Sequence, residues 1–274
     1  MPKKGSLLAE GKTKKIWRDA HTTSGVLIES KDEVTAGDGV RRKEFEGKGA
    51  YSTATTAKCF ELLTAHGIPN HFLRGFDATT FCARKLRMIK KEVVVRRVAT
   101  GSYLNRRPDV EEGTLFKPVV VEFFAKIDEE HDPLVIHDFV SERILLFHAR
   151  KPLAEGYLRE VAMADGRATE WFALREMVSL AEQTFAALEA AWATQDVMLV
   201  DLKIECGRDD TASGRIVVGD VITNDEWRIW PGGDKSRQLD KQVFRETPEA
   251  THEAMKALKA NYAKVAEMVE KFPV

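Results

Sequence analysis

Residues 197–205, VMLVDLKIE, alternate apolar and charged side chains in strict order. Met198, Val200, Leu202 and Ile204 share one parity, and Asp201, Lys203 and Glu205 share the other. Successive side chains of a β-strand point to opposite faces of its sheet, so this pattern predicts a strand with one apolar and one charged face. The fold must therefore pack the apolar face into a core while the two carboxylates and the ammonium group remain on the other side.

A second strand follows this segment after a turn-rich connection. GRDDTASG (207–214) precedes RIVVGDV (215–221), in which Ile216, Val218 and Asp220 are expected to share one face. The pair predicts an antiparallel hairpin, and a register that brings Glu205 near Asp220 would create a carboxylate site suited to Mg²⁺. An ordinary solvated sheet face explains the same alternation.

Composition limits the functional classes. The 274 residues are 43% apolar and 31% charged, which is typical of a globular protein. The 42 basic residues balance 43 acidic ones, which argues against general attraction to nucleic acid or to an anionic membrane. No apolar run is long enough to span a bilayer, and three scattered cysteines indicate neither a disulfide framework nor a zinc site. We expect a cytoplasmic protein.

The periodicity of the chain predicts three helices. They lie near residues 52–66, over 172–195, and from Thr247-Pro248 to the C-terminal region, with Pro248 at the first helical position. EVVVRRVA, beginning at Glu92, predicts a buried strand. We place a boundary near residue 90, between a sheet-rich segment (1–90) and a larger segment (91–274).

Two glycine-containing motifs near the N-terminus could contact phosphate. GKTKKIW (11–17) places Lys12, Lys14 and Ile16 on one face of a predicted strand, although no Walker-type loop is present. An exposed basic strand end is an equally good interpretation. TAGDG (35–39) surrounds Asp38 with two glycines, which indicates either a tight turn or close contact between backbone and ligand.

Three further motifs carry polar groups beside apolar strands. VVVRRVATGSYLNRR (93–107) could hold a phosphate with arginine, hydroxyl and backbone N–H groups, or its arginines could extend into solvent from a strand end. In FFAKIDEEHDP (123–133), His131 is either a general base or a structural loop residue. The tryptophans of DEWRIWPGGD (225–234) could stack on nucleic-acid bases, but the balanced charge argues against that role.

The order of these motifs resembles the SAICAR synthetase family, the phosphoribosylaminoimidazole-succinocarboxamide synthases of purine biosynthesis. The similarity extends from about residue 10 to the C-terminal helix and includes GKTKKIW, TAGDG, ATGSYLNR, LVDLKIE, VVGD and NDEWRIWPGGD. ATGSYLNR and NDEWRIWPGGD are similar to the form found in bifunctional animal enzymes. We expect one synthetase unit without their fused carboxylase domain.

The resemblance implies a two-lobed α+β fold, ATP-grasp-like, with antiparallel sheets, flanking helices and ATP between the lobes. It implies an ATP-dependent ligase that joins L-aspartate to the carboxylate of carboxyaminoimidazole ribotide (CAIR), giving SAICAR, ADP and phosphate through an acyl phosphate. ATP and Mg²⁺ are the implied cosubstrate and cofactor. The implied partners are small molecules, without nucleic acid or membrane, and a homo-oligomer is compatible with the sequence.

The resemblance also assigns roles to individual residues. For the nucleotide it implies Lys12, Lys14 and Lys126, and for Mg²⁺ it implies Glu205 and Asp220. The implied catalytic residues are Asp201, Lys203, Asp132 and Lys126, of which Asp201 and Lys203 would support the metal site. The substrate residues are Arg96, Ser102 and Arg228 around the ribotide phosphate, Asp38 at the substrate end, and Asp240 and Lys241 along the cleft.

Two other functions stay open at this stage. A small-molecule kinase of related fold would use the same ATP and metal residues without needing Arg96, Ser102 and Arg228 around a substrate phosphate. A nucleotide- or RNA-binding module without turnover would bind with an affinity that falls steeply with salt. No single residue is a compelling general base for the aspartate amine, with Asp38 and Asp132 as candidates.

Overall fold

A computed structural model describes residues 3–36, 41–164, 166–209, 214–241 and 252–274. The smaller of its two main sheets has five strands in the order β1-β2-β3-β7-β6, and every neighbouring pair is antiparallel. These strands are β1 (Lys4–Glu10), β2 (Lys14–Asp19), β3 (Gly25–Ser30), β6 (Phe72–Asp77) and β7 (Thr80–Arg84). A separate two-stranded ribbon pairs β4 (Glu33–Ala36) with β5 (Arg41–Glu44).

The larger sheet has the order β12-β11-β10-β9-β8-β13-β14, with β15 also paired to β13. Its strands are β8 (Leu86–Val98), β9 (Leu115–Ala125), β10 (Leu134–Asp138), β11 (Arg143–Phe147), β12 (Arg159–Ala162), β13 (Val197–Asp209), β14 (Ile216–Gly219) and β15 (Trp227–Pro231). The alternating segment 197–205 therefore lies in β13 and has β8, β14 and β15 as antiparallel partners. The predicted hairpin of β13 and β14 is confirmed.

Four α-helices lie in the described residues: α1 (Lys48–Ala65), α2 (Ser102–Arg106), α3 (Arg167–Ala193) and α4 (His252–Val269). Short 3₁₀ helices occur at Asp128–Glu130, Leu153–Glu155 and Lys235–Arg237. The helices predicted at 52–66 and 172–195 are confirmed, although each begins a few residues earlier. The predicted start of the last helix at Thr247-Pro248 lies outside the described residues. No described helix is long and apolar enough to cross a membrane.

The main core lies between β13, α1 and α3. Leu202 and Ile204 are buried in it, as the alternation of β13 predicts. The prediction is wrong for Met198 and Val200, which pack in a separate cluster with Trp230, and the pairing of β13 with β15 shifts register between Leu199 and Asp201. Trp192 of α3 is fully buried and contacts Trp227 and Phe272 edge to face, at centroid distances of 5.3 and 5.0 Å. Full burial of a large apolar side chain contributes about 1.5–3 kcal/mol, so this contact anchors the C-terminal end of the chain to β15.

The change from the smaller to the larger sheet falls between Arg84 and Leu86, just before the predicted boundary. Residue 90 itself lies inside β8, in the larger sheet. Helix α1 packs against both α3 and α4, and its buried residues belong to the same core as β13. The mixed α+β class with antiparallel sheets is confirmed, while the functional division at residue 90 stays a prediction.

Candidate active site

The charged face of β13 carries two groups of ionic side chains. Along β13, Asp201 lies opposite Arg96, and Glu205 lies opposite Glu92, both on β8. Direct neighbours on antiparallel strands project to the same face, so β8 extends the charges of β13 sideways across the sheet. We call the group around Glu205 the lysine–carboxylate cluster and the group around Asp201 the arginine cluster.

The lysine–carboxylate cluster comprises Lys14, Glu92, Lys126, Lys203, Glu205, Asp220 and Glu226. Lys126 Nζ lies 2.5 Å from Glu205 Oε1, and Lys203 Nζ lies 3.1 Å from Glu92 Oε1. Lys203 Nζ is also 3.7 Å from Glu205 Oε1 and 3.9 Å from Glu226 Oε1. Lys14 at the start of β2 reaches across from the smaller sheet and forms an ion pair with Asp220. The cluster therefore joins the two sheets.

Asp220 reaches the lysine–carboxylate cluster in a way that the sequence did not predict. Gly219, the last residue of β14, lies opposite Glu205, and Val218 lies opposite Cys206 in the core. Regular alternation would send the next side chain to the core face with Val218. Asp220 instead leaves the strand with φ 60°, and its carboxylate pairs with Lys14. The prediction that Ile216, Val218 and Asp220 share one face is wrong for Asp220, although the charge of Asp220 still acts on Glu205, which agrees with their expected proximity.

Burial and mutual charge perturb the acids of this cluster. Burial, and then the charge of Asp220, raises the pKa of Glu205 above its ordinary value. Burial alone would raise the pKa of Asp220, but the ammonium groups of Lys14 and Lys203 overcome it and lower that pKa to about 2. Two nearby carboxylates with pKa values displaced in opposite directions are typical of a functional site.

The donor set suits a nucleotide-bound Mg²⁺. Across the described part of the chain, no three His, Cys, Asp or Glu side chains form a ready-made metal cage. Mg²⁺ is commonly held by one or two carboxylates together with water and substrate phosphate oxygens, and Glu205 and Asp220 provide such a pair. The lysines around them offer ammonium groups to the same phosphates, so the residues present fit a Mg²⁺–nucleotide better than an isolated ion.

The arginine cluster comprises Arg96, Arg106, Glu122, Asp201 and Arg228. Arg96 donates from Nε to Glu122 Oε2 at 2.6 Å and from Nη1 to Asp201 Oδ2 at 2.8 Å. Arg228 Nη1 donates to the same Asp201 oxygen at 2.5 Å. Arg106 Nη2 donates to both oxygens of Glu122, at 2.6 and 2.7 Å. Two nitrogens of Arg96 are held by different carboxylates, which fixes the plane of that guanidinium group, whereas Arg228 is tethered through Nη1 alone.

A cavity of about 220 Å³ lies beside this cluster. Its lining includes Thr100, Gly101, Glu112, Arg228 and Lys235. Gly101 has φ 60°, which favours glycine, and a Cβ there would lie 2.6 Å from Arg228 Nη2, so an added side chain would displace this guanidinium group. The ATGS motif thus allows the backbone to approach Arg228 closely. Ser102 follows as the first residue of α2, but it does not line the cavity.

The N-terminal lysines separate in the structure. The strand β2 begins at Lys14, so Lys12 lies in the preceding turn, and the prediction of one strand face for both lysines is wrong. Lys12 Nζ lies 3.7 Å from Asp128 Oδ1, on the loop that carries Lys126. Asp201 was expected to support the metal site, but its contacts are with Arg96 and Arg228.

The remaining predicted residues lie at the edges of the two clusters or in the interior. Asp132 Oδ1 accepts a hydrogen bond from Ile127 N at 3.0 Å, and burial followed by Glu92 raises its pKa. Asp240 is buried, and its Oδ2 accepts from Ile229 N at 3.2 Å. Lys241 is buried with its Nζ 3.4 Å from Asp225 Oδ1. Asp38 lies outside the described residues.

Sequence reasoning missed several acidic residues of the site. Glu92 and Glu226 both approach Lys203, Glu122 holds two arginines, and Glu112 accepts from Thr100 Oγ1 and Lys235 Nζ at 2.7 and 2.8 Å. Glu92 opens the predicted strand EVVVRRVA, and its parity with Arg96 is the signal that could have placed it on the charged face. The other three depend on contacts between distant segments.

Comparison with known proteins decides the family. The SAICAR synthetase family model matches residues 7–261. The chain belongs to the SAICAR synthetase family. It is 44% identical over 268 residues to the phosphoribosylaminoimidazole-succinocarboxamide synthase of Roseiflexus sp. (strain RS-1), covering 97% of each protein. It is also 40% identical to the probable multifunctional protein ADE2 of Caenorhabditis elegans, covering 99% of this chain and 60% of that protein.

Solved SAICAR synthetases share the fold. A structure described as SAICAR synthetase (Type-2) in complex with ADP aligns with a TM-score of 0.75 and 29% identity, covering 98% of this chain and all of that chain. SAICAR synthetase from Pyrococcus horikoshii OT3 aligns with a TM-score of 0.72 and 29% identity, covering 95% of this chain and 99% of that one. The predicted family and its fold class are confirmed, and so is the likeness to longer multifunctional relatives.

Proposed function

We propose that this protein joins L-aspartate to the carboxylate of CAIR at the expense of ATP, giving SAICAR, ADP and phosphate in purine biosynthesis. The observation that carries the proposal is the pairing of two different ionic clusters on one face of β13. One suits a metal-bound polyphosphate, and the other suits a fixed phosphate monoester. Membership of the SAICAR synthetase family supports the same reaction.

The lysine–carboxylate cluster is the proposed nucleotide end. Glu205 and Asp220 would hold Mg²⁺, and Lys14, Lys126 and Lys203 surround them. Mg²⁺ bound there supplies positive charge against the phosphate oxygens. The lysines are already in position, so little reorganisation is needed as charge develops during phosphoryl transfer. The ADP complex of a structurally similar SAICAR synthetase supports a nucleotide at this family's site.

The arginine cluster is the proposed ribotide end. Arg228 and Gly101 line the cavity. Arg96 donates to the same Asp201 oxygen as Arg228, so Asp201 joins the two arginines. Arginine forks match the oxygen geometry of a phosphate. Ser102 at the start of α2 stays a proposed ribotide residue. We propose that the cavity binds the phosphate of CAIR and points its carboxylate along β13 toward the nucleotide.

Activation of the CAIR carboxylate as an acyl phosphate needs no protein nucleophile. The carboxylate oxygen attacks the terminal phosphorus and ADP leaves, and the neutral amine of aspartate then attacks the acyl carbon and displaces phosphate. Asp132 is the candidate in the described residues for accepting the amine proton, since its raised pKa gives it greater proton affinity. Alignment of the reactants would provide much of the rate.

We propose that the partners of this protein are small molecules and not nucleic acid or membranes. We also propose that it acts in the cytoplasm. The balanced charge supports the first point, and three unpaired cysteines support the second. A homo-oligomer stays compatible with these properties.

The proposal can be tested by following ADP release from purified protein with Mg-ATP, CAIR and L-aspartate, omitting each compound in turn. We expect sustained ADP release only with the complete mixture, together with formation of SAICAR. Sustained release with a different phosphate acceptor in the absence of aspartate would favour a kinase. Binding of nucleotide without any turnover would contradict both enzymes and leave a binding module.

A further inference from the structure

His71 lies directly behind the proposed metal ligand Asp220. Its ring is buried between Phe60 and Phe81, with centroid distances of 5.2 and 5.8 Å and edge-to-face geometry. Its Nε2 lies 2.9 Å from the backbone oxygen of Asp220. A carbonyl oxygen can only accept a hydrogen bond, so Nε2 carries the proton and donates it.

The backbone around His71 is attached to both sheets. His71 N donates to Val218 O at 3.0 Å, and Val218 N donates to Pro69 O at 3.0 Å, which ties residues 69–71 to β14. On the other side, Arg84 N donates to His71 O at 2.8 Å, at the end of β7. The imidazole is therefore held in place, and its hydrogen bond to Asp220 starts from a fixed point.

Asp220 is the residue of this hairpin that needs such support. Its φ of 60° lies in the left-handed region, which costs free energy for a residue with a Cβ. A return to extended backbone would restore strand alternation and send the carboxylate away from Glu205. Orientation of the Asp220 carbonyl follows the backbone angles of that residue, so a donor fixed against the carbonyl favours the left-handed form.

We propose that His71 is a positioning residue that holds Asp220 in its left-handed conformation and thereby keeps its carboxylate beside Glu205 for Mg²⁺. The inference rests on the proposed metal role of Asp220. His71 touches neither nucleotide nor metal in this arrangement. Its effect passes through the backbone of Asp220, and it links the metal site to the smaller sheet through Arg84.

Two variants separate the hydrogen bond from packing. His71→Phe keeps an aromatic ring between Phe60 and Phe81 but has no donor, whereas His71→Gln supplies an amide donor. Phe81→Leu is the matched control, because it disturbs the same buried contact and leaves the Asp220 carbonyl bonded. Each protein is titrated with Mg²⁺ while ADP binding is measured by calorimetry. Hydrogen exchange of the segment around Asp220 is measured without metal.

We expect His71→Phe to raise the Mg²⁺ concentration needed for ADP binding by about tenfold, the effect of one lost hydrogen bond. Exchange around Asp220 should accelerate, ADP binding without Mg²⁺ should be unchanged, and His71→Gln should recover most of the difference. Phe81→Leu should lower the melting temperature with a wild-type Mg²⁺ response. If His71→Phe fails to fold, equal Mg²⁺ responses of wild type and His71→Gln support the donor role, and a weakened response of His71→Gln contradicts it.

Asp220→Asn distinguishes failure of this inference from failure of the proposed metal site. If Asp220→Asn loses Mg²⁺-dependent ADP binding while His71→Phe behaves as wild type, the metal site stands and the role of His71 is refuted. If Asp220→Asn itself responds normally to Mg²⁺, the metal assignment fails and the inference fails with it. Equal losses in His71→Phe and Phe81→Leu would assign the effect to packing and overturn the inference.

Discussion

The two ionic clusters on β13 hold their charges in different ways. In the lysine–carboxylate cluster, the side chain of Lys126 is 40% exposed, and Lys203 approaches three different carboxylates. In the arginine cluster, Arg96 and Arg106 are 4% and 1% exposed, and Glu122 and Asp201 fix their guanidinium planes. The first cluster carries compact ammonium charges, and the second carries planar guanidinium groups held largely by buried carboxylates.

This difference indicates which kind of phosphate group each cluster is suited to bind. An ammonium group can rotate and follow a phosphoryl group as its charge moves, whereas a guanidinium held by carboxylates recognises one fixed arrangement of oxygens. Phosphoryl transfer needs the first property, and retention of a substrate through the two steps of the proposed mechanism would need the second. The clusters should therefore fail differently when they are mutated.

The largest effect is expected from Glu205→Gln, which removes one charge from the proposed metal pair while preserving size. We expect kcat to fall by at least about a hundredfold, as for loss of a group that stabilises transition-state charge. Steady-state kinetics at increasing Mg²⁺ provides the measurement. The KM for CAIR should change little. Activity restored to the wild-type level at saturating Mg²⁺ would contradict the assignment.

A smaller and different effect is expected from Arg228→Lys, which keeps the charge and loses the fork. The KM for CAIR should rise about ten- to a hundredfold, as expected for a charge-assisted hydrogen bond, while the Mg²⁺ requirement stays unchanged. Kinetics at variable CAIR and fixed Mg-ATP tests this. An increase in the ATP KM with an unchanged CAIR KM would mean that the ends of the site are reversed.

Asp201→Asn tests whether Asp201 holds Arg96 and Arg228 in place. Asp201 accepts from both Arg96 and Arg228 and is itself buried, so its loss leaves two guanidinium groups less well held. We expect a several-fold rise in the CAIR KM together with a lower melting temperature, since removing one partner of a buried ion pair is destabilising. A loss confined to the Mg²⁺ response would instead return Asp201 to the metal site.

The smallest kinetic effect is expected at an ionic group outside both clusters. A hydrogen bond from His137 and the charge of Lys91 lower the pKa of Glu170 to about 2, against partial burial. A depressed carboxyl pKa contributes stability above its unfolded value, about 4.3, and the contribution is lost as the pH falls through about 2. The free energy of unfolding of Glu170→Gln, measured with denaturant, should therefore be lower than that of the wild type at neutral pH. It should also vary less with pH over that acid range. A change in kcat would contradict a purely structural role.

Much of this arrangement could be predicted from sequence, because strand alternation and helix periodicity are local properties. The charged face of β13, the hairpin and the helix α3, on which Leu188 and Trp192 are buried, follow from such patterns. Asp220 shows the limit: its place beside Glu205 was expected, but from a face that it does not occupy. The left-handed backbone conformation of Asp220, whose carbonyl contacts the distant His71, cannot be read from spacing.

The same limit explains the carboxylates that were missed. Glu122 and Glu226 acquire their roles by facing lysines or arginines from remote segments, and no local pattern marks them. Lys12 was misplaced for a simpler reason, since strand β2 begins two residues later than the motif suggested. The resemblance to a family supplied roles that the residues alone left open.

The strand β13 also fixes the spacing between the two clusters. Asp201 and Glu205 belong to opposite clusters and are separated by four strand steps of about 3.3 Å, which sets the ends of the site roughly 13 Å apart. Hydrogen bonds to β8 on one edge and to β14 and β15 on the other keep that length from changing. A one-residue insertion between them would lengthen this spacing and also send the side chain at one end to the opposite face of the sheet. If the clusters bind the phosphate and the nucleotide as proposed, this spacing would limit the distance between a substrate's phosphate and its reacting carboxylate.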